Sequence, residues 1–375
     1  MIDKRRVQDT FLELARINSP SKRERRIADY LKARLSSLGF DVEEDDAGSK
    51  IDGDAGNIIA FKPGNTAGGK GVFLCCHMDT VEPTENLNII VDGDVIRADG
   101  TTILGADDKA GIAAVIEGVT AILEQDAPRP DIQVLFDVAE EVGLLGAKAL
   151  DHGKIRADVG YILDTGKPAG GITVSAPFHE DIRVTVTGKA AHAGIEPEKG
   201  VSAIVAASNA ITKMKLGRID DETTANVGQI EGGKARNIVP DRVCIRAEAR
   251  SRSEDKLAEQ VAHMRGLFEQ EAAKIGAATA FESKRAYSGY RWSEHDPVVE
   301  LAVRAGARIG IEPVFQDGGG GSDANIFNAL GIPSVLIGVG FEDVHSPSEK
   351  ITTGDMALAA EFVASLIQTA ANPED

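Results

Sequence analysis

The sequence predicts an α/β protein with a largely parallel sheet and helices on both faces, interrupted by an inserted α+β module. Towards both ends of the chain, apolar strand-like runs alternate with helix-like periodicity, which is typical of a parallel sheet. The middle of the chain instead predicts a β-α-β-β-α-β unit. Because 375 residues exceed the size of one ordinary core, two domains are expected.

The first domain begins with two helices. Apolar positions at helical spacing cover residues 7–16 and 22–38, and the second helix ends at Gly39. Short β-like runs follow, and GIAAVIEGVTAILEQ then reads as a long helix. The apolar runs DIQVLFDVA and YILDT are predicted strands, separated by a helix from about Gly143 to Leu150.

The pattern changes near Ser175 and changes back near residue 289. The inserted module is predicted from the strand HEDIRVTVTG, the helix VSAIVAASNAITKM, the strands ANVGQIEG and DRVCIRAEARS, a helix over 254–275 and a strand around TAFESKRAY. After it come a helix over 296–309, the strand SVLIGVG and a last helix over 354–371. We therefore expect a discontinuous domain, residues 1–174 and 289–375, and an inserted domain, residues 175–288.

Charge and cysteine content narrow the functional classes. Acidic residues outnumber basic ones by 59 to 41, and the formal net charge of -18 repels phosphate backbones and anionic lipid. Nucleic acid and membrane partners are therefore not expected, and no apolar stretch approaches the ~18 residues of a membrane span. The N-terminus has no apolar run typical of a signal peptide. Three irregularly spaced cysteines, Cys75, Cys76 and Cys244, favour a reducing compartment, the cytoplasm.

Several motifs place polar side chains next to apolar strands. In LCCHMDTV, His77 and Asp79 point to the same side of a strand, where a carboxylate can orient an imidazole towards a metal. A surface His–Asp pair would give the same pattern. In ILGADDKAG, Asp107 and Asp108 precede a long helix; they indicate either a compensating cation or a helix N-cap.

Further acidic and imidazole groups follow other predicted strands. Glu140 and Glu141 come directly after the strand in FDVAEEVGLLG, at the carboxyl end where open α/β sheets bind ligands. Asp164 in YILDT and His345 in VHSPSEK are placed at further strand ends. Taken singly, each of these residues also fits an exposed loop or a helix cap.

Taken together, the motifs predict a metal centre. Five strand ends would deliver nitrogen and oxygen ligands without a thiolate, a set that suits zinc, with manganese or cobalt also possible. The ligands suffice for two ions that share one carboxylate, and they leave one glutamate as a base.

The order and wording of the motifs resemble the aminoacylase/carboxypeptidase metallopeptidase superfamily, and most closely its peptidase T-like (tripeptide aminopeptidase) branch. The resemblance covers nearly the whole chain. It is carried by RINSPSKRERRIADYLKARLSSLGFDV, DGTTILGADDKAGIA, AEEVGLLGA, AAHAG, NVGQIEGGKARNIVP, GGGGSDAN and HSPSEKI.

The resemblance implies a role for each motif residue. His77 and Asp164 would bind one metal ion, Glu141 and His345 the other, and Asp107 would bridge both. Asp79 would orient His77, and Glu140 would be the general base. The inserted module would be the lid and dimerisation domain. The remaining implied contacts are His192, which would stabilise the oxyanion, and Asn237, Arg250, Gly320, Gly321 and Ser322, which would face the substrate.

The implied activity is hydrolysis of short peptides by a homodimer with two zinc ions per chain. Aspartate at position 164 and the wording around Asp107 favour an aminopeptidase or tripeptidase. The alternative is a carboxypeptidase or an N-acyl-amino-acid amidohydrolase with the same centre. A non-catalytic binding protein on this fold would tolerate loss of the base or of a ligand, whereas this chain retains Glu140 and every ligand position.

Overall fold

The structure is a computed structural model that describes residues 1–66 and 68–372. Its strands, in chain order, are β1 (Asp41–Glu44), β2 (Ile58–Lys62), β3 (Val72–His77), β4 (Ile89–Asp92), β5 (Val95–Ala98), β6 (Ile132–Asp137), β7 (Val159–Ile162), β8 (Gly171–Ala176), β9 (Phe178–Thr187), β10 (Gly217–Arg218), β11 (Thr223–Gly232), β12 (Arg242–Ser251), β13 (Ala278–Tyr287), β14 (Tyr290–Arg291), β15 (Val314–Asp317), β16 (Ser334–Ile337) and β17 (Lys350–Thr352).

Ten α-helices accompany these strands in the described part of the chain. They are α1 (Lys4–Ala15), α2 (Arg25–Ser37), α3 (Ala47–Ile51), α4 (Ala106–Glu124), α5 (Leu145–Ala149), α6 (Ala203–Ile211), α7 (Glu254–Lys274), α8 (Pro297–Arg308), α9 (Asp323–Ala329) and α10 (Thr353–Ala371). Two single 3-10 turns, His152–Lys154 and Pro197–Lys199, complete the helical structure.

The chain divides into two compact units. The first unit comprises residues 1–175, 292–318 and 322–375, and the second comprises residues 176–291 and 319–321. Each unit has its own apolar core. None of the described helices is both long and apolar enough to cross a membrane.

The first unit contains a largely parallel sheet. Its strands lie in the order β1-β2-β6-β3-β7-β16-β8, and β15 pairs with β8. The four central strands β6, β3, β7 and β16 are mutually parallel. Every residue of β3, β6, β7 and β16 is buried, as expected for strands covered on both faces. The α/β fold class that the sequence predicts is therefore confirmed.

The sequence pattern did not predict the antiparallel strand pairs on either side of the four central strands. The β1–β2 and β2–β6 pairs are antiparallel, and β8 runs antiparallel to β16. A separate three-stranded antiparallel sheet of β17, β5 and β4 was not predicted either. Its strands are only three or four residues long and half exposed, so they carry little hydrophobic periodicity.

Helix α4, which carries Asp107 in its first turn, is almost entirely buried. It packs against α1 and α10, and Gly118 permits a close approach to α10: a Cβ there would lie 2.7 Å from the Ala360 carbonyl oxygen. Its buried Glu117 accepts hydrogen bonds from the Arg6 guanidinium (Nη2, 2.9 Å) and from the Asp3 amide (2.8 Å). An ion pair with one buried carboxylate thus ties α1 to α4.

The second unit has the predicted β-α-β-β-α-β order with two short additional strands, β10 and β14. Its antiparallel sheet runs β10-β11-β12-β9-β13, and α6 and α7 pack on it. Along β9 and β12 buried and exposed residues alternate, because only one face of the sheet meets the helices. Ile182, Val184 and Val186 point into this core.

Candidate metal centre

Six side chains of the first unit converge at one place: His77, Asp107, Glu140, Glu141, Asp164 and His345. Three strands of the parallel sheet deliver four of them. His77 is the last residue of β3, the two glutamates follow β6 in a tight turn, and Asp164 follows β7. Since these strands are parallel neighbours, their carboxyl ends meet at one edge of the sheet.

The prediction that all five motifs lie at strand ends was wrong for Asp107 and His345. Asp107 lies in the first turn of α4, where the backbone of Asp107 and Asp108 departs from helical angles, and the peptide bond between them is cis. His345 lies in a loop that is closed at its base by a β-bridge between Glu342 and Lys350. Asp107 lies at the irregular start of a helix and His345 in a loop, so hydrophobic periodicity does not predict the position of either residue.

Asp107 lies between the two histidines. His77 Nε2 is 3.1 Å from Asp107 Oδ1 and 4.0 Å from Asp164 Oδ1. His345 Nε2 is 3.5 Å from Asp107 Oδ2 and 2.9 Å from Glu141 Oε1. Three groups of potential ligand atoms result, each with its atoms within 4.8 Å of one another: His77–Asp107–Asp164, Asp107–Glu141–His345 and His77–Glu140–Glu141. The first two groups share Asp107.

Asp79 organises one side of the centre. The His77 Nδ1 atom lies 2.8 Å from the main-chain oxygen of Asp79 and 3.5 Å from its carboxylate, so the nearer partner is the carbonyl group. The Asp79 carboxylate instead accepts the amide N–H of Glu140 (3.0 Å) and of Glu141 (3.3 Å). It also accepts the hydroxyl of Ser21 at 2.6 Å. Asp79 therefore fixes both His77 and the glutamate turn.

The carboxylates favour positive charge at the histidines. Hydrogen bonds to Asp107 and Glu141 raise the pKa of His345 to about 10. Burial opposes a charge on His77, yet hydrogen bonds to Asp107 and Asp79 raise its pKa well above the usual value. Burial also opposes ionisation of Asp107, but the hydrogen bonds from the two histidines outweigh it and lower the pKa of Asp107. The centre thus stabilises cationic groups.

Two other acids of the centre are harder to ionise. Burial, together with the nearby charges of Asp323 and Glu141, raises the pKa of Glu140 well above the ordinary value. Burial and the Asp107 and Glu140 charges likewise raise the pKa of Asp164. A carboxyl group that is desolvated among like charges ionises readily only when a cation lies nearby.

Sequence reasoning missed several supporting acids. Glu24, which is fully buried, accepts the amide N–H groups of Lys22 (2.7 Å) and Ala139 (3.0 Å), and burial raises its pKa to about 7. Glu349 accepts two amide N–H groups in the turn that leads to Asp107. Glu24 lies in the motif RINSPSKRERRIADYLKARLSSLGFDV and Glu349 in HSPSEKI. Both are acidic residues of these motifs to which the sequence analysis gave no role, and this was the signal that could have found them.

Asp137 and Asp323 form a second buried acid pair in the first unit. Burial raises the pKa of both groups, and the neighbouring carboxyl group of Asp323 raises that of Asp137 further. Cys75 lies in the same cluster. Hard carboxylates with a soft thiol are a poor ligand set for one metal, so a shared proton accounts for this pair.

The second unit holds the predicted residues His192 and Asn237 side by side. The Ala193 amide donates to the Asn237 carbonyl at 2.9 Å, and a β-bridge joins His192 to Ile238. Both side chains are exposed. The loop that carries His192 is therefore fixed in its backbone while the imidazole stays accessible.

Arg250 and the glycines at 320 and 321 also lie close together in the second unit. The Arg250 guanidinium donates to Glu248 at 2.9 Å, and a Cβ added at Gly320 would lie 4.0 Å from it. At Gly321 the same addition would lie 2.2 Å from the ring of Tyr287, so only glycine fits there. Ser322 is buried at the start of α9 in the first unit.

A family model described as "Peptidase family M20/M25/M40" matches residues 73–369, which is most of the chain. The chain belongs to this peptidase family. The match spans all six residues that converge in the first unit. It also confirms the metallopeptidase superfamily that the sequence motifs resemble, since peptidase T proteins are among the relatives.

Two solved structures are similar to this M20 peptidase over almost its whole length. A structure described as aminopeptidase PepT from Bacillus cereus ATCC 10987 is 43% identical, with a TM-score of 0.93 over 99% of this chain and 100% of that one. A Staphylococcus aureus tripeptidase structure is 40% identical, with a TM-score of 0.95 over 99% of both chains. Carboxypeptidase G2 of Pseudomonas sp. is 29% identical over 331 residues, 81% of this chain and 75% of that protein.

Metal binding to this M20 peptidase should be coupled to proton release. With a pKa of about 10, His345 is protonated at neutral pH, and a metal ion that bound its imidazole would have to displace this proton. The apparent affinity should therefore fall as the pH is lowered, about tenfold per pH unit for each displaced proton. Calorimetric titration of the metal-free protein in buffers of different ionisation enthalpy gives the number of protons released per metal ion bound. The His345→Ala variant should release fewer protons than the wild type. Affinity that stays constant with pH would contradict this coupling.

Proposed function

We propose that this M20 peptidase hydrolyses a peptide bond of short peptides at a dinuclear zinc centre, as an aminopeptidase or tripeptidase. The observation that carries the proposal is Asp107, whose two carboxylate oxygens face different histidines. A carboxylate with one oxygen in each of two ligand groups is the arrangement that two adjacent metal ions require. Nitrogen and carboxylate ligands suit zinc, and manganese or cobalt would also fit.

The proposed ligands are the members of the two groups of ligand atoms that share Asp107. His77 and Asp164 would hold one ion and Glu141 and His345 the other, with Asp107 between them. Two ions bound there would polarise the scissile carbonyl and lower the pKa of a shared water molecule towards neutrality. Asp79 would keep His77 in its orientation through the main-chain hydrogen bond.

Glu140 is the proposed general base. Its carboxyl group lies within 4.8 Å of His77 and Glu141 but is not needed to complete either ligand group. Its amide N–H is fixed by Asp79, so the base sits on a restrained turn. Glu140 would accept the proton of the attacking water and deliver it to the leaving amine.

The inserted domain, residues 175–288, is proposed as a lid and dimerisation domain, and the discontinuous domain, residues 1–174 and 289–375, would hold the metals. His192, exposed in the second unit, would donate a hydrogen bond to the oxyanion in the partner subunit of a homodimer. Exposed Ile204 and Val205 on α6 and Ile230 on β11 give the second unit apolar surface for such an interface.

The proposed substrate is a short peptide that is read from its amino end. The aminopeptidase and tripeptidase named among the similar structures support this choice. Arg250, Asn237 and the segment Gly320, Gly321 and Ser322 are the proposed substrate contacts. The carboxypeptidase G2 similarity supports the second candidate, a carboxypeptidase or N-acyl-amino-acid amidohydrolase with the same centre. The three unpaired cysteines suit the proposed cytoplasmic location.

Substitution of the two adjacent glutamates should have different effects. Glu140→Gln should keep both metal ions but lose about 10²–10⁴-fold in turnover, because it removes a base and not a ligand. Glu141→Gln should lower the metal content, because a neutral amide replaces a charged ligand. Elemental analysis and peptide hydrolysis on the same preparations measure both effects. The reverse pattern of metal loss would exchange the two roles.

Blocked peptides test which end of the substrate is read. Acetylation of a tripeptide's amino group should abolish cleavage, whereas amidation of its carboxylate should matter less. Initial rates with the free, acetylated and amidated forms of one tripeptide, on zinc- and manganese-loaded enzyme, decide between the candidates. If amidation is the more damaging change, the carboxypeptidase alternative replaces the aminopeptidase.

Mixed mutants test whether His192 acts across a dimer. His192→Ala should lose about 10²–10³-fold in turnover while it still binds metal, since one oxyanion donor is removed. Glu140→Ala should be inactive because the base is missing. After subunit exchange, one site of each hybrid dimer would contain an intact Glu140 and the partner's intact histidine, so activity should return on mixing.

The same experiment has two contrary outcomes. Verified hybrid dimers that stay inactive would show that His192 serves its own chain. Normal turnover of His192→Ala would remove this residue from the catalytic machinery.

A further inference from the structure

Glu349 links the first turn of α4, which carries Asp107, to the loop that carries His345. Its side chain is only 1% exposed. One carboxylate oxygen accepts the amide N–H of Gly105 at 2.7 Å, and the other accepts the amide N–H of Asp107 at 3.0 Å. Glu349 therefore holds the backbone of Asp107 itself, at the point from which the side chain departs towards both histidines.

The position of Glu349 in its own loop is equally restrained. Glu349 lies at the base of the His345 loop, next to the bridge between Glu342 and Lys350. Its amide donates to the Ser346 carbonyl at 3.0 Å, one residue beyond His345. The Glu349 side chain thus holds the Asp107 turn against the His345 loop. His345 Nε2 lies 3.5 Å from Asp107 Oδ2.

Only a carboxylate suits this place. Both partners of Glu349 are N–H donors, so both of its oxygens must act as acceptors. Glutamine has the same shape but would turn its NH₂ group towards one of the two amides. A buried amide N–H without an acceptor is costly, and the turn would shift to restore a partner.

We propose that Glu349 is a positioning residue that sets the distance between Asp107 and His345 for the metal ion they share. The inference rests on the proposed dinuclear centre and adds to it a residue outside the ligand set. Glu349 contacts the main chain of one ligand and supports the loop of another, and in this way it acts through them and not on the substrate.

The test compares Glu349→Gln with a matched control, Glu117→Gln. Glu117 lies on the same helix as Asp107, is also 1% exposed, and also accepts a main-chain N–H group. It contacts neither ligand group; its partners are Arg6 and Asp3. Both substitutions remove a buried carboxylate, but only one of them disturbs the Asp107 turn.

Competition between metal-free protein and a chromophoric chelator, with zinc as the probe, gives the metal affinities. Glu349→Gln should bind at least one of two zinc ions about 10–100-fold more weakly, the usual cost of losing a group that orients a ligand. Glu117→Gln should bind both as the wild type does, even if thermal unfolding shows that it is destabilised. Peptidase activity of Glu349→Gln should rise towards the wild-type value when zinc is added, with KM for the peptide unchanged.

Wild-type zinc affinity in folded Glu349→Gln would overturn the inference. If Glu349→Gln does not fold, Glu349→Asp takes its place: it keeps both acceptor oxygens but is one methylene shorter, so it should bind zinc more weakly than the wild type, and equal affinity would overturn the inference. The wild-type control separates the two proposals. A wild-type chain that binds fewer than two zinc ions would refute the dinuclear centre, whereas two ions with no effect at Glu349 would refute only the positioning role.

Discussion

Repulsion among buried carboxylates is the constraint on which the first unit depends. Asp107, Glu140, Glu141 and Asp164 lie close together with two imidazoles, and no arrangement of four negative charges in a desolvated place is stable without compensation. Burial and like charges raise the pKa of Glu140, whereas hydrogen bonds between the acids and the histidines lower the pKa of Asp107 and raise that of His345. Apolar side chains of similar volume often stabilise a fold as well as such a cluster or better, so binding explains the cluster better than stability does.

Main-chain N–H groups keep the cluster in place. Asp79, Glu24 and Glu349 each accept two amide N–H groups from the turns that bear the site residues or from their neighbours. These hydrogen bonds stabilise the carboxylates, and the buried amine of Lys109 lies near enough to interact with Glu349 and Asp79 as well. The hydrogen bonds also keep the turns rigid where the backbone takes unusual angles, as at Ala139, whose φ is 54°.

The sequence predicted much of this protein and missed the rest for identifiable reasons. The β3 and β6 runs are largely apolar and lead into polar motifs, so His77 and the glutamate pair could be placed from pattern alone. Asp107 and His345 were correctly grouped with them, yet their positions depend on loops and on the short β5 and β17 strands, which lack periodicity. The role of Glu349 depends on a contact across more than half the chain, and one sequence without relatives does not contain such pairings.

The order of strands in the first sheet determines when this centre can exist. Strand β16 lies between β7 and β8, although both are synthesised long before it. During translation the sheet must therefore remain open at its middle while the whole second unit emerges from the ribosome. His345 follows β16, so the second group of ligands is completed only after the second unit and β16 have been synthesised. Assembly of the centre therefore requires the strand that closes the sheet, so the sheet and the site are completed together.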